Sequence, residues 1–210
     1  MAIIRYRRMK KPLILLLLFI FPLNVTAYFP DSASLFPTQQ LAVGNILVAS
    51  EVIKGGIFRH SVILLTHHDR RGTIGLILNR PSIVQMKDVA PDLVRDNEAG
   101  RLYVGGPVEQ AVLSVLIKSR QDMAGLRKVL PDIFNDYRIS DRNADRYFSP
   151  DTETVRFYSG YAGWGGGQLE AEINGGGWYI LNGDPDILFD ASPDTLWQEL
   201  LKRVKGSGGR

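Results

Sequence analysis

Two stretches of this 210-residue chain hold residue types that could do chemistry. The first is His67-His68-Asp69, which sets two imidazoles beside a carboxylate. A histidine held by a carboxylate is the usual general base. His68 with Asp69, or with Glu170 or Glu172 brought from a distance, would therefore suit a hydrolase or a metal-assisted enzyme. A zinc site is harder to assemble. Neighbours on a strand point to opposite faces, the only other histidine is His60, and carboxylates would have to complete the set. The pattern predicts no metal site and no cofactor.

The second stretch is Gly160-Tyr-Ala-Gly-Trp-Gly-Gly-Gly-Gln-Leu-Glu-Ala-Glu-Ile173. Glycine-rich turns that open a helix can cradle phosphate. A Walker-type loop, however, needs Lys and Ser/Thr after its last glycine, and Gln168 and Leu169 stand there. No G-x-G-x-x-G spacing fits either. Glu170 and Glu172 put negative charge into the helix start, where it would repel an anion. The segment is thus expected to be a joint: glycines let a strand bend into a helix, Leu169 and Ile173 face the core, and Tyr161 and Trp164 pack. A serine nucleophile lacks its G-x-S-x-G elbow. With no cysteine in the chain, thiolate catalysis, disulfides and Cys-ligated metals are excluded.

The elements that must position these residues are mostly strands. Asn45–Ser50, Ser61–Thr66 and Thr73–Asn79 are short runs rich in Val, Ile and Leu between glycine-containing breaks. The last two form a predicted hairpin across Asp69-Arg70-Arg71-Gly72, with Gly72 expected at a positive φ. Asn79-Arg80-Pro81 closes the third strand, and Pro81 holds Arg80 extended. A helical turn follows at Val84–Val89, then a strand at Arg101–Val104 ending in Gly105-Gly106-Pro107. Further strands are predicted at Ala111–Ile117, Val155–Tyr161 and Gly177–Leu181, and a helical stretch at Ala124–Leu130 that Pro131 stops. Ser192-Pro193-Asp194 opens a final helix whose Leu196, Trp197, Leu200, Leu201 and Val204 make one apolar stripe. Strands without regular strand–helix alternation point to an α+β fold with a mixed or antiparallel sheet.

The N-terminus has another role. Arg5, Arg7, Arg8, Lys10 and Lys11 precede the apolar run Leu13–Phe21, and Val25-Thr26-Ala27 supplies small residues for cleavage. This is the layout of a secretory signal over residues 1–27, with Met9 as an alternative start. The run falls short of the roughly 20 residues that span a bilayer, so no stable membrane insertion is expected after cleavage. Residues 1–27 carry five of the 25 basic and none of the 22 acidic side chains, leaving 20 against 22 in the exported chain. Such a balance lacks the basic field of a nucleic-acid binder. Residues 28–43 make a flexible lead-in, 44–205 a single domain and 206–210 a disordered tail.

Taken in order, Gly44-Asn-Ile-Leu-Val-Ala49, Phe58-Arg-His-Ser-Val62, His68-Asp69, Gly75-Leu-Ile-Leu-Asn-Arg-Pro81, Gly105-Gly-Pro-Val108, the Gly160–Glu172 stretch, Trp178 and Asp186-Ile-Leu-Phe189 resemble the AlgH/YqgE family. The resemblance implies a bifurcated sheet curled into a pseudo-barrel with flanking helices, and no established catalytic residues. One branch of that family is linked to regulation of alginate production, and most members lack an export signal. This chain departs from the family pattern at Glu51, Gly55 and Ile117, where Pro, Asp and His are usual. The expectation is a non-enzymatic binding or regulatory module of the cell envelope, periplasmic or secreted, or else anchored by its N-terminus facing the periplasm. Its partner would be a protein or small molecule, met through His68, Asn79, Arg80, Gly105, Gly106, Trp164, Gln168 and Glu170.

Overall fold

The computed structural model describes residues 41–93, 100–137, 139 and 141–207. Residues 1–40, where the export signal and most of the lead-in are expected, and residues 208–210 lie outside them. Ten strands form one sheet: β1 (Asn45–Ala49), β2 (Val62–Asp69), β3 (Gly72–Ile77), β4 (Pro81–Gln85), β5 (Arg101–Val104), β6 (Val108–Ser119), β7 (Arg127–Leu130), β8 (Ile133–Tyr137), β9 (Thr152–Gly165) and β10 (Trp178–Asn182). The helices are α1 (Met86–Val89), α2 (Gln168–Asn174), α3 (Pro185–Phe189) and α4 (Pro193–Ser207). Among the described residues no helix is long and apolar enough to cross a membrane.

The main path runs β10-β1-β2-β3-β9-β6-β8-β7. Every pairing is antiparallel except β5 with β9, where Tyr103 meets Tyr158 and Val104 meets Ser159. The α+β class and mixed sheet are therefore as expected. The sheet forks at β9, whose one edge serves β5 at Tyr158–Ser159 and β3 at Ala162–Gly165 while β6 takes the other. Two backbones meet almost in contact at the fork. A Cβ on Gly106 would lie 2.1 Å from the Tyr161 carbonyl carbon, and one on Gly160, itself at φ +68°, 2.6 Å from the Gly106 oxygen. Only glycine tolerates that pairing of strained φ and close approach.

The sheet is not closed into a barrel, a correction to the pseudo-barrel expectation. Among the described residues β10 pairs only with β1, and β7 only with β8. The curl stops where Leu130, at the end of β7, packs on Gly44 and Gly183, in front of β1 and just past β10. Side-chain contact stands there in place of a hydrogen-bonded ladder.

Both faces of the central strands are covered, which explains their unbroken apolar runs. Ile46, Val48, Val62 and Leu64 pack beneath α3 and α4 through Leu188, Leu196, Leu200 and Leu201. Leu47, Ala49, Ile63 and Leu65 pack on the other side with Leu169 of α2 and the two indoles of Trp164 and Trp178. A third cluster, including Met86, Val115, Tyr147 and Phe157, fills the fork's far branch.

The helix expected at Ala124–Leu130 is instead a turn followed by β7. Gly125 sits at φ +79°, which ends a helix, and Val129 must be buried against Ile133 in the core under α4. β4, β8 and α3 fall where no element was expected, and β9 continues to Gly165, through the first half of the glycine-rich stretch. The tail expected from Gly206 does not start there, since α4 includes Gly206 and Ser207; the rest of that expectation lies outside the described residues.

Candidate functional site

The β2–β3 hairpin turns through Arg70-Arg71, and Asp69 builds the turn. Its Oδ1 accepts hydrogen bonds from the Arg71 amide at 2.8 Å and the Gly72 amide at 3.2 Å. Those amides, with the Arg71 guanidinium at 3.3 Å from Oδ2, hold the Asp69 carboxyl below the usual carboxylate range, the Arg71 amide foremost. Gly72 is not at the expected positive φ. Glycine is needed there because a Cβ would lie 2.4 Å from the Trp164 carbonyl oxygen on β9.

A bulge decides where the histidines point. Leu65 faces Gly75 and His67 faces Ile74, so Thr66 is an extra residue on β2. Beyond it His67 shares a face with Ile74, and His68 shares the opposite face with Thr73. His68 Nδ1 lies 2.8 Å from Thr73 Oγ1, whereas His67 Nε2 is 3.3 Å from Asp69 Oδ2. The expected pairing of His68 with Asp69, Glu170 or Glu172 does not form: His67, two residues from Asp69, shares its face, His68 meets Thr73, and Glu172 is bonded to Gln168 and the two indoles.

The His67 face carries an open cleft of about 460 Å³. One side is His67, Asp69 and Arg71; the other is Tyr161 and Val108 of the neighbouring strands. Its floor is Ile74 and three glycines, with Gly72 paired to Gly165 and Ile74 to Gly163. Behind Tyr161 stands Tyr137, with ring centroids 5.4 Å apart, and the Tyr137 hydroxyl donates to Glu109 at 2.9 Å. Burial and that carboxylate push the Tyr137 phenol well above its usual range.

The opposite face holds the glycine-rich joint. The bend is confined to Gly166-Gly167, with Gly167 at φ +77° before α2. The Gly165 amide donates to Gln168 Oε1 at 3.1 Å, and Gln168 Nε2 donates to Glu172 Oε1 at 3.0 Å. The other oxygen, Oε2, accepts both indole N–H groups, Trp164 at 3.0 Å and Trp178 at 2.9 Å. Phe58 completes the cluster, 6.2 Å from Trp164 and 5.9 Å from Trp178 between ring centroids. Leu169 is fully buried and Ile173 packs beside it, as the four-residue spacing predicts. Glu172, expected as a distant partner for His68 or as charge at the helix start, is instead the acceptor for the two indoles, a carboxylate four positions after Gln168 on the same helix.

The eight residues singled out from the sequence do not gather on one surface. Trp164 and Gln168 join in the indole cluster, and Glu170 on the same helix is exposed. Gly105 and Gly106 belong to the sheet fork. Asn79 is buried and works as a clamp, its Oδ1 accepting from the Val62 amide and its Nδ2 donating to the His60 carbonyl, both at 2.9 Å. Arg80 reaches back to the Asn79 and Arg59 carbonyls. His67, Arg71 and Tyr161, which do line the cleft, were not among the eight. Among the described residues no three His, Asp or Glu side chains are grouped to hold a metal ion.

The solution structure of the AlgH protein of Pseudomonas aeruginosa superposes on this fold with a TM-score of 0.63 at 28% identity, covering 77% of this chain and 87% of that one. A Corynebacterium diphtheriae protein solved by crystallography shares the fold with a TM-score of 0.66 at 24% identity, over 80% of this chain and 90% of its own. By sequence, a UPF0301 protein of Streptomyces coelicolor is 33% identical over 171 residues, 78% of this chain and 86% of the relative. A UPF0301 protein of Chlamydia muridarum is 33% identical over 172 residues, 81% and 90% of the two chains. The model of the AlgH-like family, DUF179, matches residues 46–208, and this chain belongs to that family.

Proposed function

We propose that this chain is a non-enzymatic binding or regulatory module of the cell envelope. Residues 1–27 export it to the periplasm or beyond, and the glycine-floored cleft beside His67 receives a protein segment or small molecule. One observation carries the reading: the cleft is roomy at about 460 Å³, yet its polar groups are bonded to one another rather than poised for reaction. Asp69 is committed to the turn amides, Arg71 and His67. Concave sites with a few fixed polar groups are the usual ligand receptacles. Backbone without side chains at Gly72, Gly163 and Gly165 admits a flat group or an extended chain at close range.

A photo-crosslinking residue at the exposed Arg71 rim, expressed in cells, tests this. It is expected to give a defined adduct in the envelope fraction that the same probe at exposed Glu199 on α4 does not. Equal adducts at both positions, or none, refute the cleft assignment. N-terminal sequencing of the cell-derived chain tests export separately: cleavage after Ala27 supports it, and a retained Met1 or Met9 means an anchored or unexported protein.

A further inference from the structure

The other end of β2 holds a second, differently built feature. From Val62, at the start of β2, to His67 is about 16 Å of strand, so this feature is remote from the cleft. The loop before β2 brings Arg59 and His60 against Arg80, two segments that lie some twenty residues apart in sequence. Arg80 is half-buried and donates through Nη1 to the Asn79 carbonyl at 3.2 Å and through Nη2 to the Arg59 carbonyl. A guanidinium has five N–H donors, so three are left over. Among the described residues Arg80 has no carboxylate in ion-pair range. Burial lowers its proton affinity.

His60 adds a second sign of construction. It holds a left-handed φ of +57°, a strained state for a non-glycine residue that persists only where the surroundings impose it. The backbone bonds around it hold that state, the His60 carbonyl accepting from Asn79 Nδ2 at 2.9 Å and the Ser61 amide donating to the Phe58 carbonyl at 3.1 Å, and the Trp197 indole lies alongside. The imidazole stacks on that indole with centroids 3.8 Å apart, and the indole is fixed by its own bond to the Ala49 carbonyl at 2.8 Å. His60 is half-buried, and among the described residues neither ring nitrogen has a hydrogen-bond partner. Arg59 beside it is exposed. The groups facing His60 are Arg59, Arg80 and Glu51; burial and the two arginines lower its proton affinity. Glu51 is engaged by Lys205 at 2.5 Å, so the acid nearest this cluster is already offset.

We infer that Arg59, His60 and Arg80 form an anion site, one that takes an oxyanion, carboxylate or phosphate, through the spare guanidinium donors and the edge of the His60 ring. The two arginines repel each other, and the acid that faces His60, Glu51, is engaged by Lys205, so a bound oxyanion relieves the repulsion. The arginine fork matches both chemistries in bidentate fashion.

The test uses the full-length chain with ¹⁵N labelling, titrated in separate arms with inorganic phosphate and with succinate, against sodium chloride at matched ionic strength. Saturable shifts of the Arg59 to Ser61 amides and of the Trp197 indole N–H are expected in at least one arm. Arg59→Ala removes a side chain that makes no hydrogen bond or ion pair among the described residues and is expected to weaken the response about tenfold. Arg80→Lys, which keeps the charge and loses the fork, is expected to weaken it further, with the amide spectrum elsewhere unchanged. Phosphate alone, succinate alone or both would each support the site and name its chemistry. Shifts that chloride reproduces, shifts confined to His67–Arg71, or an Arg59→Ala response equal to that of the parent chain would overturn it.

Discussion

Replacing Glu172 tests the reading that the glycine-rich joint exists for packing. One carboxylate oxygen accepts two indole N–H groups, from Trp164 at 3.0 Å and Trp178 at 2.9 Å, and those residues are only 6% and 5% exposed. Glu172→Ala removes two charge-assisted bonds and strands two buried donors, each worth about 1.5–3 kcal/mol at full burial. Glu172 is itself half-buried, and water will recover part of that, so about 2–4 kcal/mol is expected. Glu172→Gln keeps an accepting oxygen in the same place and should cost about 1 kcal/mol. Urea unfolding followed by indole fluorescence measures both, with an unchanged m-value showing that stability alone moved. If Glu172→Ala lies within about 0.5 kcal/mol of the parent chain, the indoles do not depend on Glu172 and the account of the joint fails.

Four further outcomes follow from the same geometry. Gly160→Ala should cost more than about 2 kcal/mol, since it adds strain at φ +68° to a contact of 2.6 Å, while Gly55→Ala, with nothing within 4 Å, should change the thermal midpoint little. Arg156 donates to the Leu188 carbonyl at 2.6 Å and the Phe189 carbonyl at 3.2 Å, stacked over the Tyr103 ring; Arg156→Ala should speed amide exchange through α3 before it affects β2. Asp69 titrates below the usual carboxylate range, so its contribution to the hairpin is present above the unfolded value near 4 and is lost as pH falls through the lower folded value; Asp69→Asn should abolish that acid transition in the Gly72 amide shift. His60 has a lowered proton affinity, so acid protonates it more readily in the unfolded chain and its contribution to stability fades below about pH 6.5; Arg59→Ala should raise its NMR-measured titration midpoint.

Residues whose neighbours lie close in sequence were legible from sequence alone. The runs of β1, β2 and β3, the α4 stripe and the Leu169–Ile173 spacing depend on local periodicity, which the chain shows directly. The failures share one cause. At β7 a four-residue strand is too short for its period to speak against a helix, and its identity comes from pairing with β8. Asn79 looked like a surface residue at a strand end, and only the return of the His60–Val62 backbone makes it a buried clamp. Glu172 carries no signal of its own until β10 brings Trp178 beside Trp164.

The histidines show how one inserted residue redirects chemistry. Strand alternation correctly predicts that His67 and His68 face opposite ways; it cannot say which faces the cleft, because that depends on Thr66 having no partner on β3. A matching reversal occurs on β9. Tyr158 and Tyr161, three apart, pack toward the same cluster, while Ala162 and Trp164 pack toward the other, so the positive-φ Gly160 exchanges the faces. Without that exchange Trp164 would rise from the cleft floor and the glycines would face Glu172. The indole cluster would lose its donor and the cleft its room in one step. The fork glycines are therefore what places a bare floor on one side and a locked aromatic cluster on the other. Ligand binding and the stability of the joint should fail together when Gly160 is changed, and separately when Arg71 or Glu172 is.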